Sequence, residues 1–283
     1  MGRKSYRRLR ARRTTLAVTV AIAGALAQTS GPPTHAAEAG ATVQTEAASP
    51  PIDLPAAAEV GQRATLGTSI THLLDVGTIG LRLELSSSVT AVNADGSYST
   101  RSTIDTVDIT ASPEDVDIDG LQAVSFNQSF SPTGEPTGAS LVNPAALSQA
   151  QKTGGRVLLD AVGMINVGFP AEPVSVGSSW TTSGVVGSHG LSLNVTYQCR
   201  LAEVVDGRYR VELTYSQDFN EPGLGGVVAG TVSGSGTISG ALDNPLVVSG
   251  TVSQVIVGIV NLDNGSSRPV SGDTTIEVTS AGG

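Results

Sequence analysis

Three aspartates at positions 1, 3 and 5 of a short run, Asp115, Asp117 and Asp119, are followed by Gly120 and form the sharpest chemical motif in the chain. That spacing opens a calcium loop, where carboxylate oxygens surround the cation and a glycine permits the sharp turn. A helix-loop-helix calcium site needs a bidentate glutamate at position 12, which is Phe126 here, so that form is excluded. A shorter β-type Asp-x-Asp-x-Asp-Gly calcium site on Asp115, Asp117 and Asp119 stays open, and calcium is the one cofactor the sequence suggests. Val116 and Ile118 alternate with these acids, so the same run also fits the wet face of a strand ending in a turn. The wider acidic group, with Asp105, Asp108 and Glu114, reads as a solubility feature.

Other reactive residues are sparse. The three histidines, His35, His72 and His189, form no His-x-x-x-His or His-Glu pair, so no zinc ligand set is visible. No Gly-x-Ser-x-Gly elbow or phosphate loop occurs. No catalytic residue is assigned, and whether the protein is an enzyme stays open, with a non-catalytic role favoured. A hydrolase needs only two carboxylates near one bond, which keeps a carboxylate-dependent extracellular hydrolase as a rival. Cys199 has no partner in the chain and falls on an apolar face, which suits a small buried hydrophobe.

These residues sit in a chain of 283 with 39% hydrophobic and 14% charged residues and a net charge of −9. Seven of its 16 basic residues lie in the first thirteen positions; the remainder therefore carries nine basic against 25 acidic residues. Nucleic-acid binding, which needs cations to neutralise phosphates, is excluded on that balance. Residues 1–36 read as a signal peptide. A basic start precedes an apolar run from Leu16 to Ala27, too short to span a membrane, with small-residue cleavage sites after Ala27 and Ala36. The arginine pairs leave a general and a twin-arginine export route open. The expected location is secreted or cell envelope, with no transmembrane segment after signal removal.

Residues 37–58 read as a flexible leader and 59–283 as a single duplicated β domain, with repeat units at about 60–130 and 176–279. Leu191, Leu193, Val195, Tyr197, Cys199 and Leu201 alternate strictly with polar residues, predicting a long strand with one buried face. Asp206-Gly207 then turns the chain into a return strand carrying Tyr209, Val211, Leu213 and Tyr215. Leu81, Leu83, Leu85, Ser87, Val89 and Ala91 align with those six positions, and Asp95-Gly96 and Tyr98 match the hairpin. Upstream, Val60-Gly61-x-x-Ala64 matches Val176-Gly177-x-x-Trp180. A short helix is expected over Pro144–Lys152, capped by Asn143 and stopped by Gly154-Gly155. Gly230, Gly234, Gly236 and Gly240 share the inward face of a later strand, predicting close backbone approach or an empty groove.

The segment Phe169-Pro170-Ala-Glu-Pro173-Val174-Ser-Val176-Gly177-Ser-Ser-Trp180 resembles a strand opener of secreted β-rich bacterial domains of unknown function. That resemblance covers about residues 59–279 and implies no functional residue. The duplicated sheet is also similar in architecture to half-barrel periplasmic lipoprotein carriers. The expected fold is mainly β: an antiparallel, internally duplicated curved sheet or half-barrel with one short helix. The expected function is an exported, non-catalytic protein that binds an apolar or amphipathic small molecule, or an envelope component, in its concave face. A structural or adhesive surface module is the other rival.

Overall fold

The computed structural model describes residues 50–74, 77–111, 120–149, 151–152, 155, 159, 165–188, 191–223, 226–262 and 265–282. Eleven strands form one antiparallel sheet: β1 Arg63–Leu74, β2 Gly77–Val92, β3 Tyr98–Ala111, β4 Ser125–Phe130, β5 Pro136–Leu141, β6 Ser179–Ser188, β7 Leu191–Val205, β8 Arg208–Gly223, β9 Gly226–Ala241, β10 Val248–Leu262 and β11 Ser267–Gly282. Their order is β5-β4-β3-β2-β1-β11-β10-β9-β8-β7-β6, nearly closed into a barrel with a seam. The chain therefore winds round the barrel in sequence order, and β11 meets β1 to join the two halves.

Strand parity explains the seam. Each neighbouring pair is antiparallel, so an even number of steps separates β5 from β6 and the two point the same way. A hairpin cannot connect parallel strands; the chain must cross back over the barrel, usually through a helix. Residues 142–178 make that return. Among the described residues of this crossover, a 3-10 turn at Pro144–Ala146 is followed by helical backbone at Gln149, Gln151, Lys152, Gly155 and Leu159.

The helix start differs from the sequence expectation. Asn143 makes no capping bond: its backbone is left-handed (φ 48, ψ 54) and not in the extended region that an N-cap residue adopts. Ser148 and Gln151 cap instead. The Gln151 N–H donates to Ser148 Oγ at 3.2 Å, and the Ser148 N–H donates to Gln151 Oε1 at 2.8 Å, a reciprocal capping box. Gly155 is not a stop either. Gly155 is helical and buried, and a Cβ there would come within 2.8 Å of Leu141. Close packing on β5 accounts for that glycine.

Register confirms the duplication and corrects its alignment. The Gly61 N–H donates to the Val89 carbonyl and the Val89 N–H to the Gln62 carbonyl; Gly177, Leu201 and Ser178 repeat both bonds. Gly61 and Gly177 share left-handed backbone, at φ 92 and 94. A one-residue irregularity follows Val89 in β2 and Leu201 in β7, after which Val92 pairs with Tyr98 and Val204 with Tyr209. Val89 thus corresponds to Leu201 rather than to Cys199. Alternation alone misplaced the strand by two residues, a slip that keeps every side chain on its own face and so leaves the hydrophobic pattern intact.

The inward glycines of β9 divide into two kinds. A Cβ on Gly230 or Gly236 would collide with the carbonyl of Val257 or Thr251 on β10, the close approach expected. Gly234 and Gly240 make room for rings: Tyr215 lies directly opposite Gly234, and Tyr209 opposite Gly240. Tyr215 cannot swing aside, since its hydroxyl donates to Gln254 Oε1 at 2.8 Å and its ring meets Tyr197 edge-on at 5.2 Å. Gly234→Val should therefore cost about 3 kcal/mol through overpacking. Urea denaturation checks this; an unchanged midpoint would remove the ring-over-glycine account.

Candidate functional site

The barrel is filled along most of its length, Leu83, Ile104, Phe126, Leu201, Val211, Val252 and Ile276 each being inaccessible to solvent. A cavity of about 70 Å³ remains near the end that carries the Asn93–Ser97, Ser131–Glu135 and Asp206–Gly207 turns. Its apolar walls include Tyr98, Phe130, Phe169, Tyr209, Ile238 and Leu246. Tyr98 stacks on Phe130 at 4.9 Å, and Phe169 meets Tyr209 edge-on at 5.4 Å. Its polar lining comprises Ser87, Thr100, Ser102 and Gln128 on the sheet and Asn166 on the crossover. A larger hollow of about 230 Å³ lies towards the other end, beside Leu193, Phe219 and Val232, but Asp218, Asn220 and Glu221 on its rim are exposed.

Comparison of the two halves shows why the cavity exists. Ala64 pairs with Ser87 and Ser87 with Ser102; at the equivalent places Trp180 pairs with Cys199 and Cys199 with Leu213. One half fills its interior with tryptophan, cysteine and leucine, while the other places alanine and two serines there. The volume so removed stays open. Likewise Thr100 pairs with Gln128 where Val211 pairs with Ile238. Four inward positions are polar in the first half and apolar in the second.

The polar residues, like their apolar counterparts, are buried. Ser87 and Ser102 satisfy each other at 2.7 Å, and Thr100 is 2% exposed. Gln128 is 6% exposed and stands opposite Thr100 in the cavity lining. The side of the cavity facing β8 and the crossover is mostly apolar and aromatic, with Asn166 as its polar member.

No carboxylate, amine or imidazole lines the cavity. Burial pushes the Tyr98 phenol up to about 12; burial, and secondarily proximity to Tyr98, raises Tyr209 further. Both phenols keep their protons at neutral pH. The lining supplies hydrogen bonds, ring faces and apolar contact, and it is uncharged. Among the described residues no group of three or more His, Cys, Asp or Glu side chains could hold a metal.

Asp115, Asp117, Asp119, Glu114, His189 and the signal segment 1–36 lie outside the described residues. Asp105 accepts a hydrogen bond from Ser86 Oγ, and Asp108 is exposed; neither is near the cavity. His72 Nδ1 lies 2.8 Å from Thr274 Oγ1 across the β1–β11 junction, which ties the two halves together. Cys199 is buried, and that burial pushes its thiol up to about 12, so it is no nucleophile at neutral pH. The residues missed in the sequence, Thr100, Ser102 and Gln128, emerge when the two halves are compared in their true register. The two-residue slip set Ser87 against Tyr197 and hid the exchange.

The fold and site together define a nearly closed antiparallel β-barrel with a small amphipathic cavity inside. No protein-family model matches the chain, and no curated protein resembles it in sequence. No helix among the described residues is long and apolar enough to cross a membrane.

Proposed function

We propose that the chain is an exported, non-catalytic binding protein of the cell envelope or extracellular space. Its ligand is an apolar or amphipathic small molecule, seated among Tyr98, Phe130, Phe169 and Tyr209. The observation carrying this reading is the cavity's mixed lining: rings and aliphatics on one side, a buried polar patch on the other, as small-molecule sites combine them. Export rests on the basic start and short apolar run of residues 1–27. A cavity of about 70 Å³ admits one end of such a molecule. Organic extraction of the natively purified protein, followed by mass spectrometry, should yield one apolar or amphipathic compound at near one-to-one ratio. An extract no different from that of a denatured control would sink the proposal.

A second reading, a structural or adhesive surface module, draws on the outer face of β10. Val255, Val257 and Ile259 are 43%, 59% and 50% exposed there, one after another on a single face. Light scattering decides it: a monomer at high concentration rules out self-association through that face.

A further inference from the structure

Resting on the binding role just proposed, we infer that the cavity selects a molecule with an uncharged hydrogen-bonding head, and that Gln128 and Thr100 read that head. The duplication provides an internal control. Val211 and Ile238 show that aliphatic side chains serve the packing at these two positions, so thread and barrel do not require the polar pair. Thr100 and Gln128 face each other directly across β3 and β4, which sets the hydroxyl beside the carboxamide. Gln128 is 6% exposed and lines the cavity together with Thr100. Its carboxamide offers one donor group and one acceptor, the complement of an amide or alcohol head. A carboxylate or ammonium head would lose its water and meet no counter-charge, since the lining has none.

The test compares hexanamide, hexanoate and toluene as probes, titrated by calorimetry at pH 7 into the mature protein and into Thr100→Val/Gln128→Ile. That double variant copies the second half of the barrel. The wild type should bind hexanamide at least tenfold more tightly than hexanoate. The double variant should melt no lower than wild type, bind toluene as before, and bind hexanamide at least tenfold more weakly. Equal affinity of wild type for hexanamide and hexanoate would overturn the inference, as would undiminished hexanamide binding by the variant. Should the double variant not fold, the isosteric Thr100→Val alone must still weaken hexanamide at least threefold. Binding of toluene without hexanamide would overturn the head selection and leave the apolar site standing. Binding of no probe at all would overturn both.

Discussion

Trp180→Ala should lower the unfolding free energy by about 4 kcal/mol, the largest single-residue effect expected in this barrel. Trp180 is 2% exposed and packs against Phe169, with ring centroids 6.0 Å apart. Its indole N–H donates to the Gly168 carbonyl at 2.9 Å, pinning the crossover to the start of β6 across the seam. Alanine would remove the ring and leave that carbonyl without its donor. The first half already carries alanine at the equivalent place, Ala64, paired with the cavity-lining Ser87. The variant should consequently stay folded and acquire a second void, the twin of the first. Urea denaturation measures the loss, and xenon or benzene binding measures the void. A loss below about 1 kcal/mol would show that the crossover is not anchored through Trp180.

A second large effect is expected at alkaline pH. Four tyrosines, Tyr98, Tyr197, Tyr209 and Tyr215, are buried, and burial raises each phenol above its ordinary 10.0; Tyr197 is raised further by Tyr215 and Cys199. The Cys199 thiol moves the same way, from 9.0 to about 12. For a group whose folded pKa is raised, stability is complete below the unfolded value and declines as pH climbs towards the folded one. Here the decline begins near pH 9 for the thiol and near pH 10 for the phenols. Each group withdraws up to about 1.4 kcal/mol per pH unit once it ionises in the unfolded chain. Five acting together exceed the whole stability of an ordinary domain within about two units. Phenolate absorbance at 295 nm should therefore rise in one step that coincides with loss of the β-sheet circular dichroism. Gradual titration near pH 10 with the sheet intact would contradict the burial of these rings.

Much of this barrel could be read from the residue pattern, and the reasons for the rest are physical. The alternation through Leu191–Leu201 specified a strand and its buried face, and Asp206-Gly207 specified the hairpin, whose φ angles of 50 and 72 require such residues. Closure was less legible. Pairing of β1 with β11 joins residues about 200 apart, and no local pattern encodes a partner at that distance. The capping box at Ser148 and Gln151 was present in the sequence, but Asn143-Pro144 offered a competing start five residues earlier. Gly234 and Gly240 needed knowledge of their partners before rings, rather than backbone or space, could be placed over them. The cavity stayed hidden for a related reason. Its polar wall contains no titratable group, so Thr100 and Gln128 carry no reactive signature in the sequence. Only the pairing register sets them beside Val211 and Ile238.

Electron density from crystals of natively purified mature protein offers the most direct test of the binding role. The expected result is a bound molecule whose polar end lies within hydrogen-bonding distance of the Gln128 carboxamide and whose apolar part lies against Tyr98 and Tyr209. A barrel repacked so that the space is gone, with Gln128 bonded to the protein's own groups, would contradict it.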